Sequence, residues 1–354
     1  MGVGAPTRLT RRWVGSIALS SAVSLFFLYL TLRRVEWTSV REAVSHVSLP
    51  ILALALLTRG LAFLAMGLRS LATTAPGGRL PYKDLVLSHL LGYTGNNILP
   101  FRMGEILRVE FLSRKCGSAR AFLFGTVATE RLLDSALLLA MFGLVVPFVF
   151  GREAVSGNYI LLIAGTGAAF LLAFTAALWS RMPRILGNVC RPLNVRLAQS
   201  VERNARNVSL GFRAISSAQL APGAIAGTVL YWGASAGSIA IILAAFGLDL
   251  PGFAPFVVVA VTALGTALPA TPGFVGTYHY FSALGLSLMG VDRPVAISFA
   301  IVAHAMAFLP YTFLGLVLFA GSIPLWIRRA GAIQSEVGAE LREDSEQVNP
   351  DPRL

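Results

Sequence analysis

Residues 51–71 have the sequence ILALALLTRGLAFLAMGLRSL, an almost unbroken apolar run. At a rise of about 1.5 Å per residue, a helix over this run covers the roughly 30 Å of hydrocarbon in a bilayer. A soluble domain needs polar residues to cover its surface, and the run offers only a few, among them Arg59 and Arg69. The run therefore predicts a helix that spans a membrane and carries two arginines.

The rest of the chain has the same character. Of its 354 residues, 55% are hydrophobic and 13% are charged, and the mean hydropathy is +0.70. This composition excludes a soluble enzyme and predicts an all-α, polytopic transmembrane helix bundle, with a single membrane domain over residues 1–330. We predict spans near residues 13–32, 51–71, 121–150, 159–179, 225–246 and 296–327.

Two further stretches, 85–120 and 253–290, are interrupted by polar or helix-breaking residues. The first contains Pro100, and the second contains Pro269 and Pro272 close together. Proline interrupts a helix, and non-helical backbone at membrane depth is tolerated only where protein or a watery cavity surrounds it. We therefore predict two re-entrant or broken helix hairpins that enter from opposite sides, as in transporters with inverted repeats.

The formal net charge of +12 comes from arginines that lie mostly between the apolar runs. This placement favours contact with anionic lipid headgroups over nucleic acid, and it favours cytoplasmic positions for the basic loops. Six spans would then place both termini in the cytoplasm, although the loop with Arg33, Arg34 and Arg41 does not fit this orientation. Residues 181–215 are predicted to be an interfacial amphipathic region, and the acidic residues 331–354 a disordered cytoplasmic tail.

The first polar constellation is residues 95–108, GNNILPFRMGEILR. Arg102, Glu105 and Arg108 recur every three residues, so they share a helix face only partly. An arginine fork grips phosphate in two places, and a helix beginning after Pro100 would add free backbone N–H groups. These features suit an anionic headgroup. A Glu–Arg network that only positions an interfacial helix is the alternative, and the sequence leaves both open.

The second constellation is Glu130, Arg131 and Asp134, about ten residues inside an apolar run. Ionisable groups within a span are costly, so they should face the bundle interior and be paired. One interpretation joins this cluster to Arg102 or Arg108 to line a polar cavity. The other is a clamp between helices.

The third constellation is residues 269–279, PATPGFVGTYH. Its prolines and glycines free backbone groups at membrane depth, and its Thr, Tyr and His side chains add hydrogen-bonding ends. It could bind part of a substrate or merely kink two ordinary helices. His304, in the last predicted span, is a proton site or a histidine satisfied by a backbone carbonyl.

Residues 233–237, GASAG, match the G-x-S-x-G elbow of hydrolases only formally, because an elbow needs a strand–turn–helix setting. Within an apolar helix, Gly233 and Gly237 are instead typical of a small-residue packing face. The sequence contains no Walker loop, dinucleotide fingerprint, HExxH or paired CxxC. We therefore expect no catalytic residue, no metal and no cofactor, and transport that is passive or ion-driven.

Two of these stretches also resemble a known family. Residues 97–134, with LP at 99–100, R at 102, GE at 104–105, R at 108 and TERLLD at 129–134, resemble the flippase-like family. This family is the transmembrane region of lysylphosphatidylglycerol synthases and its stand-alone relatives. PGFVGTY at 272–278 and GV at 290–291 resemble the family's second signature, although Tyr278-His279 stands where the commoner pattern has an acidic residue.

The resemblance covers roughly residues 15–325 and implies a prokaryotic cytoplasmic-membrane protein that acts on lipids. In the full synthases, a C-terminal soluble domain transfers an aminoacyl group from charged tRNA to phosphatidylglycerol. Nothing of that size follows residue 330, so we expect the membrane module without the transferase.

We therefore expect a transporter that moves a phospholipid or a lipid-linked polar headgroup across the membrane. The expected partners are membrane lipids, either anionic phospholipid or lipid-linked phosphate, with no nucleic acid. The alternative is an intramembrane enzyme, or an accessory or scaffold subunit for a lipid-modifying partner. The candidate binding residues are Asn96, Asn97, Arg102, Glu105, Arg108, Glu130, Arg131, Asp134, Thr271, Gly273, Gly276, Tyr278 and His279.

Overall fold

The structure is a computed structural model that describes residues 21–33, 37–45, 47–99, 102–150, 165–166, 181–192, 194–267 and 271–320. Within these ranges all regular structure is helical, which confirms the predicted all-α membrane bundle. The predicted acidic tail lies outside the described residues, as do Pro100, Pro269 and nearly all of the predicted span 159–179.

The helices follow one another along the chain with short connections. They are α1 (Ser21–Leu32), α2 (Trp37–Ser45), α3 (Leu49–Thr74), α4 (Tyr82–Ile98), α5 (Gly104–Cys116), α6 (Arg120–Phe150), α7 (Met182–Cys190), α8 (Val195–Ser216), α9 (Ala221–Ala245), α10 (Ala254–Ala267), α11 (Thr277–Ser287) and α12 (Arg293–Phe319). Among the described residues, α3 with the turn that follows it, α9 and α12 are long and apolar enough to cross a membrane.

These three long helices each begin two to four residues before the predicted span, and the reason is the same in each. A proline occupies the first turn of each helix, at Pro50, Pro222 and Pro294. Proline is well placed there because its missing N–H would have had no partner inside the helix. A count of apolar residues starts after these prolines and therefore places the helix start too late.

Helices α3 and α9 form a tightly packed antiparallel pair. Gly227 on α9 lies directly against the backbone of Arg69 on α3, where any larger residue would overlap it. Farther along, the Ser238 hydroxyl donates a hydrogen bond to the Ala55 carbonyl at 2.9 Å. The close approach therefore fixes where Arg69 stands relative to the bundle interior.

The packing face expected at Gly233 and Gly237 needs correction. A side chain at Gly237 would meet only Thr58, at an ordinary 3.4 Å, and Gly233 has open space beside it. The tight contact lies at Gly227, because that residue faces α3 where the two helices are nearest.

The two broken segments form short helical hairpins. Helices α4 and α5 have 17 and 13 residues, while α10 and α11 have 14 and 11. At about 1.5 Å per residue, none of the four reaches the roughly 30 Å that a crossing requires. We call α4–α5 the first hairpin and α10–α11 the second hairpin.

The two hairpins start from opposite ends of the bundle. The first hairpin begins beside the end of α3, where Gly67 lies against Tyr82 and Val86. The second hairpin begins after α9, which runs antiparallel to α3 and so ends at the other side. The first hairpin starts at an end of the bundle that is rich in arginine and lysine, and we call it the basic end. Its residues include Arg79, Lys83, Arg114, Lys115 and Arg120.

Candidate functional site

A cavity of about 200 Å³ lies where the tips of the two hairpins meet α3, α6 and α9. It contains eight of the thirteen candidate residues, drawn from both halves of the chain. They are Asn96, Asn97, Arg102, Glu105, Arg108, Arg131, Asp134 and Tyr278. The first and second constellations, and Tyr278 of the third, therefore converge on one polar space inside an apolar bundle.

Glu130 does not line the cavity but belongs to a buried layer of side chains next to it. It is 1% exposed, and its carboxylate accepts hydrogen bonds from Arg108 Nη1 at 2.5 Å and Nη2 at 3.0 Å. The hydroxyls of Ser70 and Thr73 donate to the same carboxylate at 2.7 and 3.1 Å. This many donors is what a carboxylate needs in order to stay charged without water.

Arg69 joins the two acidic residues of α6. Its guanidinium lies 2.6 Å from Asp134 and 3.4 Å from Glu130, and the residue is 1% exposed. Asp134 also accepts from the indole N–H of Trp232 at 3.0 Å. Arg131 reaches the other oxygen of Asp134 at 3.3 Å and also pairs with Glu105.

His89 completes the buried network. Its Nε2 lies 2.8 Å from the Ser70 hydroxyl. Since that hydroxyl donates to Glu130, the Nε2 atom must carry the proton and donate to Ser70. The ring thereby fixes the serine rotamer that holds the carboxylate.

Several partners in this network were not among the predicted site residues: Arg69, Ser70, Thr73, His89 and Trp232. Arg69 and His89 did carry a signal, because each is an ionisable residue inside an apolar segment, the same criterion that selected Glu130. Ser70, Thr73 and Trp232 carried none, since hydroxyls and indoles are common in membrane helices.

Both asparagines of the first hairpin have structural partners. The Asn96 side-chain oxygen accepts the backbone N–H of Gly104 at 2.9 Å, across the break between α4 and α5. The Asn97 side chain donates to Thr312 on α12 at 2.7 Å. They position the hairpin tip while lining the cavity.

The charges around the cavity do not balance. Arg69, Arg108 and Arg131 are each ion-paired with one or more of Glu105, Glu130 and Asp134. Arg59 and Arg102 also line the cavity, and neither takes part in an ion pair within the described residues. The described part of the site thus carries an excess of positive charge and can hold an anion.

Arg102 occupies a special position at the tip of the first hairpin. Its backbone φ is +53°, and its guanidinium donates to the Thr266 carbonyl and lies 5.4 Å above the Phe274 ring. Phe274, at the break of the second hairpin, has φ of +57°. Left-handed backbone at non-glycine residues is energetically costly and concentrates at functional sites. Here the two costly residues touch each other across the hairpin junction.

Four candidates of the third constellation lie away from the cavity: Thr271, Gly273, Gly276 and His279. Thr271 bonds the Ser24 hydroxyl of α1 through its backbone N–H at 2.8 Å and its side chain at 3.0 Å. Gly276 lies so close to the Ser24 carbonyl that a side chain would overlap it. These residues pack the broken segment against α1.

His279 and His304 form a directed hydrogen-bond chain beside this break. The Gly276 N–H donates to His279 Nδ1 at 3.3 Å, and His279 Nε2 lies 3.0 Å from His304 Nδ1. His304 Nε2 lies 2.8 Å from the Gly273 carbonyl, which can only accept. Each ring therefore donates through Nε2 and accepts at Nδ1, and both are neutral. His304 has the backbone carbonyl partner that the sequence left as one of two alternatives.

The side chains that the sequence offered for catalysis have structural partners. Glu105, Glu130 and Asp134 are each held by at least one arginine. The GASAG segment lies within α9, where the Ser235 hydroxyl donates to the Tyr231 carbonyl, so it is not a nucleophile elbow. Among the described residues, no group of three or more His, Cys, Asp or Glu side chains could hold a metal ion.

The fold and the cavity define a class, a polytopic helical membrane protein with a charged site between two broken hairpins. Residues 17–315 match the family described as the lysylphosphatidylglycerol synthase TM region, so the chain belongs to this family. A comparison with curated proteins gives no match. The protein is thus a membrane protein of a family linked to lipid modification or transport.

Proposed function

We propose that this protein moves the polar headgroup of a phospholipid, or of a lipid-linked molecule, across the cytoplasmic membrane of a prokaryote. The observation that carries the proposal is the cavity itself, where hairpins from opposite ends meet around two arginines that have no carboxylate partner in the described residues. A headgroup crossing hydrocarbon alone would lose its hydration at a large free-energy cost. A charged, polar cavity at the hairpin junction lowers that cost.

Arg102 is placed to make the first contact with the headgroup. It is exposed and lies two residues before the start of α5. Among the described residues of the second hairpin, it contacts the Thr266 carbonyl and the Phe274 ring. A phosphate would offer its guanidinium a stronger, doubly hydrogen-bonded partner than either. The acyl chains would stay in lipid while the headgroup moves through the cavity.

The direct test is lipid movement in liposomes that contain only the purified protein. Acyl-labelled phosphatidylglycerol should equilibrate between leaflets, and Arg102→Ala or an Arg102→Ala, Arg131→Ala double variant should reduce the rate at least tenfold. Arg203→Ala, an exposed arginine on α8 away from the cavity, is the matched control and should keep the original rate. Unchanged movement in the double variant would rule out this site.

A second candidate function rests on the family description, which names a lipid-modifying synthase. The protein would then act as an accessory or scaffold subunit that presents lipid to a partner enzyme. Co-purification of a transferase, together with loss of one modified lipid from the lipidome of a deletion strain, would favour this function. A wild-type lipidome in that strain would count against it.

A further inference from the structure

Arg59 is less exposed than Arg102 and lines two neighbouring cavities. It stands in the middle of α3 and lines both the cavity of about 200 Å³ and an adjoining one of about 120 Å³. Tyr231, Thr266 and Tyr278 also line both. The two cavities therefore lie side by side, and we call them together the path. Arg59 lies on the wall that they share.

The surroundings of Arg59, which is partly buried, contrast with those of the fully buried Arg69 and Arg108. Its ionisable neighbours include Tyr93, Tyr231 and Tyr278 from three different helices, and Tyr93 forms a hydrogen bond with it. Arg69 and Arg108, by comparison, are each within 2.6 Å of a carboxylate. A cation inside a membrane bundle without a counter-charge is costly unless water or an anion reaches it. Arg59 is therefore a cation that can bind an anionic ligand.

The adjoining cavity restricts what that partner can be. Apart from Arg59, its lining consists of uncharged side chains, with hydroxyls from Ser235, Thr262 and Tyr278 among them. The described carboxylates of the larger cavity are already bound to arginines. An ammonium group would find no free counter-charge along this path, whereas a phosphate would find Arg59 and the Tyr278 hydroxyl as donors. The Ser235 and Thr262 hydroxyls donate to backbone carbonyls, and their oxygens are left to accept from headgroup hydroxyls.

We propose that Arg59 is a second, inner anion subsite, and that the path selects phosphodiester headgroups bearing hydroxyls over headgroups bearing an ammonium group. The proposal rests on the proposed function, since it assigns the substrate class of the same path. Phosphate passes from Arg102 at the hairpin junction to Arg59 within the bundle. The tyrosine and threonine hydroxyls along the wall replace water around the headgroup.

The test compares two deacylated headgroups that share a phosphodiester, glycerophosphoglycerol and glycerophosphoethanolamine. Calorimetric titration of the purified full-length protein should give at least tenfold tighter binding of glycerophosphoglycerol. Arg59→Gln should weaken this binding about tenfold or more, as expected for loss of a charged hydrogen bond, and Arg59→Lys should restore part of it. Arg203→Gln is the control and should leave binding unchanged.

Stability separates this role from a structural one. Arg59→Gln removes a charge that has no ion-pair partner within the described residues, so its melting temperature in detergent should equal or exceed that of the original protein. A marked decrease would overturn the subsite, because it would show that Arg59 holds the fold together. Equal binding of both headgroups, or binding that ignores Arg59→Gln, would also overturn it.

Transport measured in parallel distinguishes the two proposals. If Arg59-dependent binding is found but no acyl-labelled lipid changes leaflet, the subsite stands and the proposed transport function fails. If acyl-labelled phosphatidylethanolamine moves as fast as phosphatidylglycerol, the substrate class is overturned and transport stands.

Discussion

At the scale of single residues, Glu130 is the centre of the charged network. It balances two buried arginines at once, and four side chains donate to it, Arg69, Ser70, Thr73 and Arg108. Replacing it by glutamine would leave most of the shape intact but remove the counter-charge. The consequence should be a loss of stability rather than a purely local loss of binding.

Glu130→Gln should therefore destabilise the protein by about 3–5 kcal/mol, the cost of leaving a buried charge without its partner. Thermal unfolding in detergent would measure this loss. The control is Glu202→Gln, which breaks an exposed pair with Arg206 on α8 and should cost about 0–1 kcal/mol. Similar melting temperatures for the two variants would contradict a central role for Glu130.

The sequence predicts this network only in part. Charges inside apolar runs should face the bundle interior and be paired, so a common site for Arg102, Glu105, Arg108 and the Glu130–Asp134 cluster was one of two interpretations that the sequence allowed. The individual hydrogen-bond partners could not be predicted, because hydrophobic periodicity gives no information on how one helix is rotated against another. Trp232 lies nearly a hundred residues from Asp134 in the sequence, and the packing of α9 against α6 brings the indole within 3.0 Å of the carboxylate.

At the scale of helices, the first hairpin depends on the absence of side chains where α4 meets α5. Gly104 fits against the backbone of Gly92 and the side chain of Asn96, and a methyl group at residue 104 would overlap both. Gly104→Ala should thus cost about 1–3 kcal/mol by overpacking and should displace Arg102.

Thermal unfolding and lipid movement together would check this prediction. Gly233→Ala is the matched control, because the same methyl group would point into open space on α9. It should be neutral or slightly stabilising, since alanine favours helix more than glycine does. If both variants behaved alike, the close packing of the first hairpin would not matter to the fold.

A second prediction at the scale of helices concerns the ion pairs of Glu110 at the junction between α5 and α6. The Glu110 carboxylate accepts hydrogen bonds from Arg120 at 2.7 Å and from Arg114, and the Arg120 guanidinium in particular holds the pKa of Glu110 below its usual value. A depressed native pKa stabilises the fold above the unfolded value of about 4.3, and this stabilisation is lost as the pH falls through the native pKa.

Glu110→Gln should consequently lower the melting temperature at pH 7, and the difference from the original protein should shrink as the pH falls below about 4. Melting curves in detergent at several pH values would show this. Glu42→Gln, an exposed residue without an ion pair in the described residues, should give curves parallel to those of the original protein. A constant difference at all pH values would exclude the proposed ionic origin.

Helix boundaries show what composition can and cannot specify. The all-α bundle and the two interrupted hairpins follow from apolar length and from proline positions. The starts of α3, α9 and α12 were placed too late because prolines in a first turn look like breaks when only hydropathy is considered. The left-handed backbone at Arg102 and Phe274 had no sequence signal, since glycine is the residue that normally marks it.

At the scale of the whole molecule, orientation in the membrane follows from charge. The basic end holds the connections rich in arginine and lysine, so we expect it to face the cytoplasm. Cys116 is the last residue of α5 and lies at the basic end. Cys190 is the last residue of α7, which packs against α8, and α8 in turn packs against α6 near the start of that helix. Both thiols are free and partly exposed.

A membrane-impermeant maleimide should therefore label Cys116 and Cys190 in inverted vesicles but not in intact cells. Asp249→Cys, in a variant in which both native cysteines are replaced by serine, supplies the opposite control. Residue 249 is exposed between α9 and α10 at the other end and should be labelled from outside the cell. Labelling of all three from the same side would contradict the opposed entry of the two hairpins.

The two imidazoles beside the second hairpin have one further consequence. Each ring nitrogen of His279 and His304 already donates or accepts a hydrogen bond. An additional proton can therefore bind only at an acceptor nitrogen, which it turns into a donor. Two N–H groups would then confront each other, either between the rings, now 3.0 Å apart, or between His279 and the amide of Gly276. Protonation of either histidine would thus break one hydrogen bond of this series. We expect the break near Gly273 to become less rigid at acidic pH for this reason.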